Sequence, residues 1–166
     1  MNKEKTIAAL FDFDGVVVDT EPQYTLFWDE MGKKYHPEIP DFGHHIKGQS
    51  LKQLYSNYFL GVPGLQDQIT RALDEFEAQM VFHFIPGVVD FMKELRENGV
   101  KIAIVTSSND KKMANAYRAH PELKEMVDRI LTADMFTHSK PHPECFLLNA
   151  KVFDTEIDNC IVFEDS

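Results

Sequence analysis

The sequence predicts an α/β protein in which a parallel sheet carries an inserted, all-helical segment. Three observations lead there. Short apolar runs at residues 7–11, 101–106 and 159–163 each end in carboxylates or hydroxyls. Runs apolar on both faces fit strands buried in a parallel sheet. Helical periodicity separates the runs, and residues 21–84, between the first run and the second, carry helical patterns and breaks alone.

The first run ends in Phe11-Asp12-Phe13-Asp14-Gly15. Alternate side chains of an extended chain share a face, so Asp12 and Asp14 face one site. Gly15 then permits a sharp change of direction. The carboxyl ends of parallel strands are where open α/β sheets place their ligands. Two ionised carboxylates this close repel each other, and either a hard cation such as Mg²⁺ or a shared proton relieves the repulsion. One carboxylate is then suited to attack and the other to moving protons. By itself the acidic pair equally fits a strand end followed by an acidic turn.

Residues 21–31 read as a helix, opened by Glu21 and Pro22 and stopped at Gly32. Residues 33–48, with Pro37, Pro40 and Gly43, read as a loop. The adjacent His44 and His45 in it cannot share one helix face. Ser50 is an N-cap for a helix over 51–60, and Gly61-Val62-Pro63-Gly64 breaks it. A long helix over 65–84 then ends before Pro86-Gly87. Residues 88–98 form the next helix, closed by Gly99, and 101–106 the second strand. That strand runs into Ser107, Ser108 and Asn109, which suit an oxyanion cradle and equally a simple N-cap for the helix over 109–120. A third strand over 129–132 and a loop over 133–139 lead to Lys140-Pro141-His142-Pro143 and a helix over 144–153. Lys140, on a turn stiffened by two prolines, is either a positive charge for an anion or an exposed lysine before a helix. The last strand, 159–163, ends in Glu164-Asp165-Ser166.

Asp12-x-Asp14-Gly15-x-x-x-Asp19-Thr20 after an apolar strand resembles the first motif of the haloacid dehalogenase-like hydrolases. Thr106 matches the second motif, Lys140-Pro141-x-Pro143 the third and Glu164-Asp165-Ser166 the fourth, in the family's order. The resemblance implies a Rossmann-like core, residues 1–20 and 85–166, with a helical cap over 21–84 that chooses the substrate. It makes Asp12 the nucleophile that forms an aspartyl-phosphate and Asp14 the general acid and base. Thr106 and Lys140 would hold phosphoryl charge, with Ser107 and Ser108 close by. Mg²⁺ would sit on the Asp12 carboxylate, the Asp14 main-chain carbonyl and Asp165, with Glu164 binding through water. An Asp at position 14 speaks for phosphoryl transfer, because the dehalogenase branch lacks one there.

The chain as a whole also resembles the β-phosphoglucomutase-like branch with helical caps. The segment Ile46-Lys47-Gly48-Gln49-Ser50-Leu51 is similar to the cap segment that contacts substrate in the mutases. The resemblance therefore gives Tyr24, Lys47, Gly48 and Gln49 a part in substrate binding. Those mutases carry an Arg where Leu51 stands and a His where Tyr24 stands. Leu51 cannot grip a second phosphate, which favours plain hydrolysis of a phosphomonoester, with a sugar phosphate as the implied substrate. A sugar-phosphate mutase is the alternative, with Lys47 substituting for the Arg, and a non-catalytic binding or regulatory fragment is a second one.

Composition narrows the partners. The 166-residue chain carries a formal net charge of −10, which argues against a nucleic-acid partner and leaves a small phosphorylated metabolite. Cys145 and Cys160 lie in apolar surroundings without Cys-x-x-Cys spacing and read as reduced thiols of a cytoplasmic protein. No apolar run is long enough to span a membrane, so no membrane partner is expected. Family members normally continue past the fourth motif, so the expectation is a C-terminally incomplete core whose last strand becomes a sheet edge, and a monomer for the intact protein.

Overall fold

A computed structural model describes residues 5–165, which divide into two compact units. One comprises the chain up to Asp19 together with Phe82–Asp165, and the other Thr20–Val81.

The first unit is an α/β sheet. Strands β1 (Ala8–Phe11), β2 (Lys101–Val105), β3 (Arg129–Leu131) and β4 (Cys160–Phe163) lie in the order β3-β2-β1-β4, all parallel. β1 is buried along its whole length, as a run apolar on both faces requires. Phe11 pairs with Ile104 on one side and Phe163 on the other, so the segments after β1, β2 and β4 leave the sheet along one edge. Helices α5 (Val88–Glu97), α6 (Asp110–Ala119), a short α7 (Leu123–Met126) and α8 (Glu144–Val152) belong to this unit. Leu10, Val105, Leu131 and Cys145 form one buried cluster, and Phe11 stacks on Phe163 with ring centroids 4.4 Å apart. Among the described strands β3 and β4 form the two edges, and Ile161 and Val162 of β4 are exposed.

The second unit is helical. It contains α1 (Glu21–Tyr35), α2 (Phe42–His45), α3 (Leu51–Tyr58) and α4 (Leu65–Gln79). Phe27, Trp28, Leu54, Phe59 and Ile69 fill its core. Ser50 caps α3 in a reciprocal box: its Oγ accepts from the Gln53 amide, and Gln53 Oε1 accepts from the Ser50 amide. No described helix is long and apolar enough to cross a membrane.

Most boundaries shift by a residue or two from the sequence reading, and some differences have a clear physical reason. Gly32 does not stop α1, which continues to Tyr35. A Cβ on Gly32 would lie 2.2 Å from the Phe42 Cβ, so the glycine answers to close packing. Residues 42–45, read as loop, form the short α2, which supplies that Phe42. The long helix ends at Gln79 and not at residue 84. Phe82–Ile85 instead runs extended beside Val17–Asp19: Phe84 bridges Val18, the Asp19 amide donates to the His83 carbonyl and the Ile85 amide to the Val17 carbonyl. Buried Phe82 between exposed Val81 and His83 is a period-two pattern, which suits a strand and not a helix. Finally, Asn159 closes a 3₁₀ turn and the last strand begins at Cys160.

Candidate active site

The site is assembled at the carboxyl edge of the sheet. The Asp12 amide donates to the Phe163 carbonyl at 2.9 Å, extending the β1–β4 ladder by one residue. This fixes where the Asp12 side chain emerges. Its Oδ1 accepts from the Phe13 amide at 2.6 Å, and its Oδ2 lies 3.0 Å from Lys140 Nζ. Lys140 also donates to Glu164 Oε2 at 2.7 Å. Burial pushes the Asp12 carboxyl up to about 7; Lys140 opposes the shift, and the neighbouring Glu164 adds to it. For Lys140, burial works against the charge, but Asp12 and Glu164 override it and its pKa is raised.

Asp14 has a different environment. Its carboxylate accepts from Ser108 Oγ at 2.8 Å, and Lys112 Nζ lies 2.6 Å from both of its oxygens. The two aspartates are thus held by separate lysines on separate elements. Gly15 makes the turn beyond them, at φ +74°, where an L side chain is strained. A Cβ there would also fall 2.0 Å from Asp165 Oδ2. The glycine is needed twice, for the backbone and for the approach of Asp165.

Oxygen atoms of Asp12, Glu164 and Asp165 all lie within 4.8 Å of one another. An all-carboxylate donor set suits a hard cation such as Mg²⁺. The raised pKa of Asp12 is the mark of negative charge crowded into a buried place, which a dication would offset. The residues present therefore fit such an ion. Asp14 turns its carboxylate to Ser108 and Lys112 and is not among the three carboxylates that converge there.

The second strand delivers the remaining residues. The Thr106 amide donates to the Leu131 carbonyl, and its Oγ1 accepts from the Ser108 amide at 2.9 Å, which turns Ser108 toward Asp14. Thr106 is fully buried, whereas Ser107 is exposed. Asn109 takes the N-cap of α6, its side chain accepting from the Lys112 amide at 2.9 Å.

Lys112 escaped the sequence reading. Nothing in Asn109-Asp110-Lys111-Lys112 separates it from a solvated helix start, yet its side chain is only 4% exposed. A charge repeat on a helix does not say which lysine turns inward; that depends on where the turn after β1 places Asp14.

Tyr24, Lys47, Gly48 and Gln49 come together in the helical unit, around a cavity of about 180 Å³ that also touches Glu21 and Trp28. The Tyr24 hydroxyl donates to Glu77 Oε1 at 2.7 Å, and Lys47 Nζ lies 3.5 Å from Glu21 Oε2.

Residues 8–166 match the family model described as haloacid dehalogenase-like hydrolase. The chain belongs to this family. It is 27% identical to a phosphorylated carbohydrates phosphatase of Thermotoga maritima, over 96% of this chain and 76% of that protein. It is 26% identical to a fructose-1-phosphate phosphatase of Escherichia coli, over 98% of this chain and 88% of the relative. Among solved structures, the crystal structure of a β-phosphoglucomutase from Clostridium difficile superposes with a TM-score of 0.74 at 25% identity, covering 97% of this chain and 77% of that one. Among the described residues of the motifs, Asp12, Thr106 and Glu164 directly follow β1, β2 and β4, and Lys140 lies in the segment between β3 and α8.

Proposed function

We propose that the protein is a Mg²⁺-dependent phosphatase that hydrolyses a small phosphomonoester, a sugar phosphate by preference, through an aspartyl-phosphate on Asp12. The observation that carries the proposal is the unequal housing of the two aspartates. Asp12 lies against Lys140 and two further carboxylates, while Asp14 is held apart by Ser108 and Lys112. Two carboxyl groups set in different environments are suited to two different tasks.

In the first step an Asp12 carboxylate oxygen attacks phosphorus in line. The bond from phosphorus to the ester oxygen breaks, and Asp14 gives its proton to the departing alkoxide. In the second step Asp14 takes a proton from water. The hydroxide attacks the phosphoryl group, and the Asp12–phosphorus bond breaks to release phosphate and restore Asp12. Lys140 offsets the charge on the phosphoryl oxygens, and Thr106 and Ser108 shape the turn that receives them. Lys112 and Ser108 hold Asp14 in place between the two proton transfers. Asp12, Glu164, Asp165 and the main-chain carbonyl of Asp14 would hold Mg²⁺, whose charge would lower the cost of bringing a phosphate dianion to this acidic site.

We assign the choice of substrate to the helical unit, through Tyr24, Lys47, Gly48 and Gln49. Two of the relatives are named for phosphorylated carbohydrates and for fructose 1-phosphate, which supports a sugar phosphate here.

The test is phosphate release from a panel of phosphosugars, with Mg²⁺ and with EDTA. Mg²⁺-dependent release supports the proposal. Interconversion of phosphosugar isomers without release would replace it by a mutase. Silence on every substrate would overturn it.

A further inference from the structure

A second cluster of metal-ligating side chains lies outside the carboxylate site. His138, His142 and Glu144 bracket the segment that presents Lys140, and one ligand atom from each lies within 4.8 Å of the others. His138 Nδ1 is 2.7 Å from Glu144 Oε2, and the two imidazole rings sit 4.5 Å apart, tilted by 31°. Both histidines are exposed, which leaves their rings free to adjust to an ion and open to bulk solvent.

The Glu144 carboxylate is already oriented. Its Oε1 accepts from the Thr137 amide at 3.1 Å and its Oε2 from the His138 amide at 2.7 Å. These main-chain donors, with the His138 ring, fix the orientation of the carboxylate. Hydrogen bonds of this kind to a carboxylate are also what orients metal ligands. Capping of the loop accounts for Glu144, and the Glu144 amide in turn donates to His142 Nδ1 at 3.3 Å, so one turn orients all three side chains. Pro141 and Pro143 restrict the backbone between and beside the ligands, which lowers the entropy lost on closing a chelate.

We propose that His138, His142 and Glu144 form a binding site for a divalent transition ion of the Zn²⁺ class, separate from the hard-cation site at Asp12, Glu164 and Asp165. Two imidazoles and one carboxylate suit Zn²⁺, Co²⁺ or Ni²⁺ and do not suit Mg²⁺. Three protein ligands leave a coordination position for water. Lys140 stands midway between the two histidines in sequence, and its ammonium contacts Asp12 and Glu164. An ion here ties the loop that presents Lys140 to the first turn of α8.

The experiment is calorimetric titration of Zn²⁺ into the full chain in excess Mg²⁺, repeated with Co²⁺ and read by visible absorption. The same titrations are run on His138→Gln, His142→Ala and Asp165→Asn. The expected result is one Zn²⁺ per chain, a Co²⁺ spectrum with imidazole ligation, and at least a tenfold loss of affinity in both histidine variants. Asp165→Asn leaves this binding unchanged, and circular dichroism shows the exposed histidine variants folded. No binding in excess Mg²⁺, equal binding by the histidine variants, or loss of binding in Asp165→Asn would each overturn the proposal. The readout is independent of the phosphatase reading, since neither histidine touches the proposed reacting groups.

Discussion

The α/β unit and the helical unit bury different things. Among the described residues, the first buries Asp12, Thr106, Ser108, Lys112, Thr132 and Asn149 as well as its apolar core. The buried polar residues of the second are the threonines Thr20 and Thr25, and its interior is otherwise aromatic and aliphatic. The difference follows from the elements. A parallel sheet ends several strands along one edge, where side chains and main-chain donors converge and satisfy one another. Helices packed around Phe27, Trp28 and Phe59 gain their stability from ring contacts and leave few polar groups inside. Chemistry therefore belongs to the first unit, and the second is free to vary what it presents.

The sharpest way to break this comparison is Asp12→Asn. Turnover should fall by roughly 10⁴-fold or more, since the nucleophile itself is lost. Phosphate release at an unchanged rate would remove the proposed mechanism. In the other unit, Phe59→Ala should cost about 3–5 kcal/mol of stability, because Phe59 is 1% exposed and truncation leaves a cavity. The single tryptophan, Trp28, lies 6.3 Å from that ring, so urea unfolding followed by its fluorescence reports the loss directly.

Lys112→Met tests whether Asp14 needs its own cation. The variant should lose about 1.5–3 kcal/mol, the range for a hydrogen bond to a charged group, in thermal unfolding. The rate of phosphate release should fall about 10- to 100-fold by the same energy. A variant with full activity would show that Asp14 does not need Lys112 for its position.

The smallest effect is a pH dependence without metal. The Asp12 carboxyl is held up at about 7 in the folded chain against 3.8 ordinarily, so the folded state keeps a proton that the unfolded state releases between those values. Asp12 therefore adds to stability below pH 3.8, and that contribution is lost as the pH rises through 7. In EDTA, the melting temperature of Asp12→Asn should gain on that of the unaltered chain as the pH is raised across this window. Parallel profiles would show that the burial of Asp12 carries no such penalty.

Much of the site was legible because its residues sit at the ends of short apolar runs. Asp12, Thr106 and Glu164 follow β1, β2 and β4, and burial on both faces makes such strands readable from local composition. Lys140 was legible through the prolines beside it. The helical reading over 65–84 runs past Gln79 because Met80 and Val81 continue its apolar stripe, whereas the pairing of residues 82–85 with Val17–Asp19 is a tertiary contact.

By itself, then, the sequence determined the parallel α/β class, the helical segment between the first two strands and the acidic and hydroxyl residues at the strand ends. Those features are written in patterns a few residues long. Only the tertiary structure decided that Gly32 makes room for Phe42, that Lys112 turns inward to Asp14, 98 residues away, and that His142 faces His138 beside Glu144. These are contacts between side chains on separate elements or across a folded loop. Their energies depend on packing and register, which local periodicity does not carry.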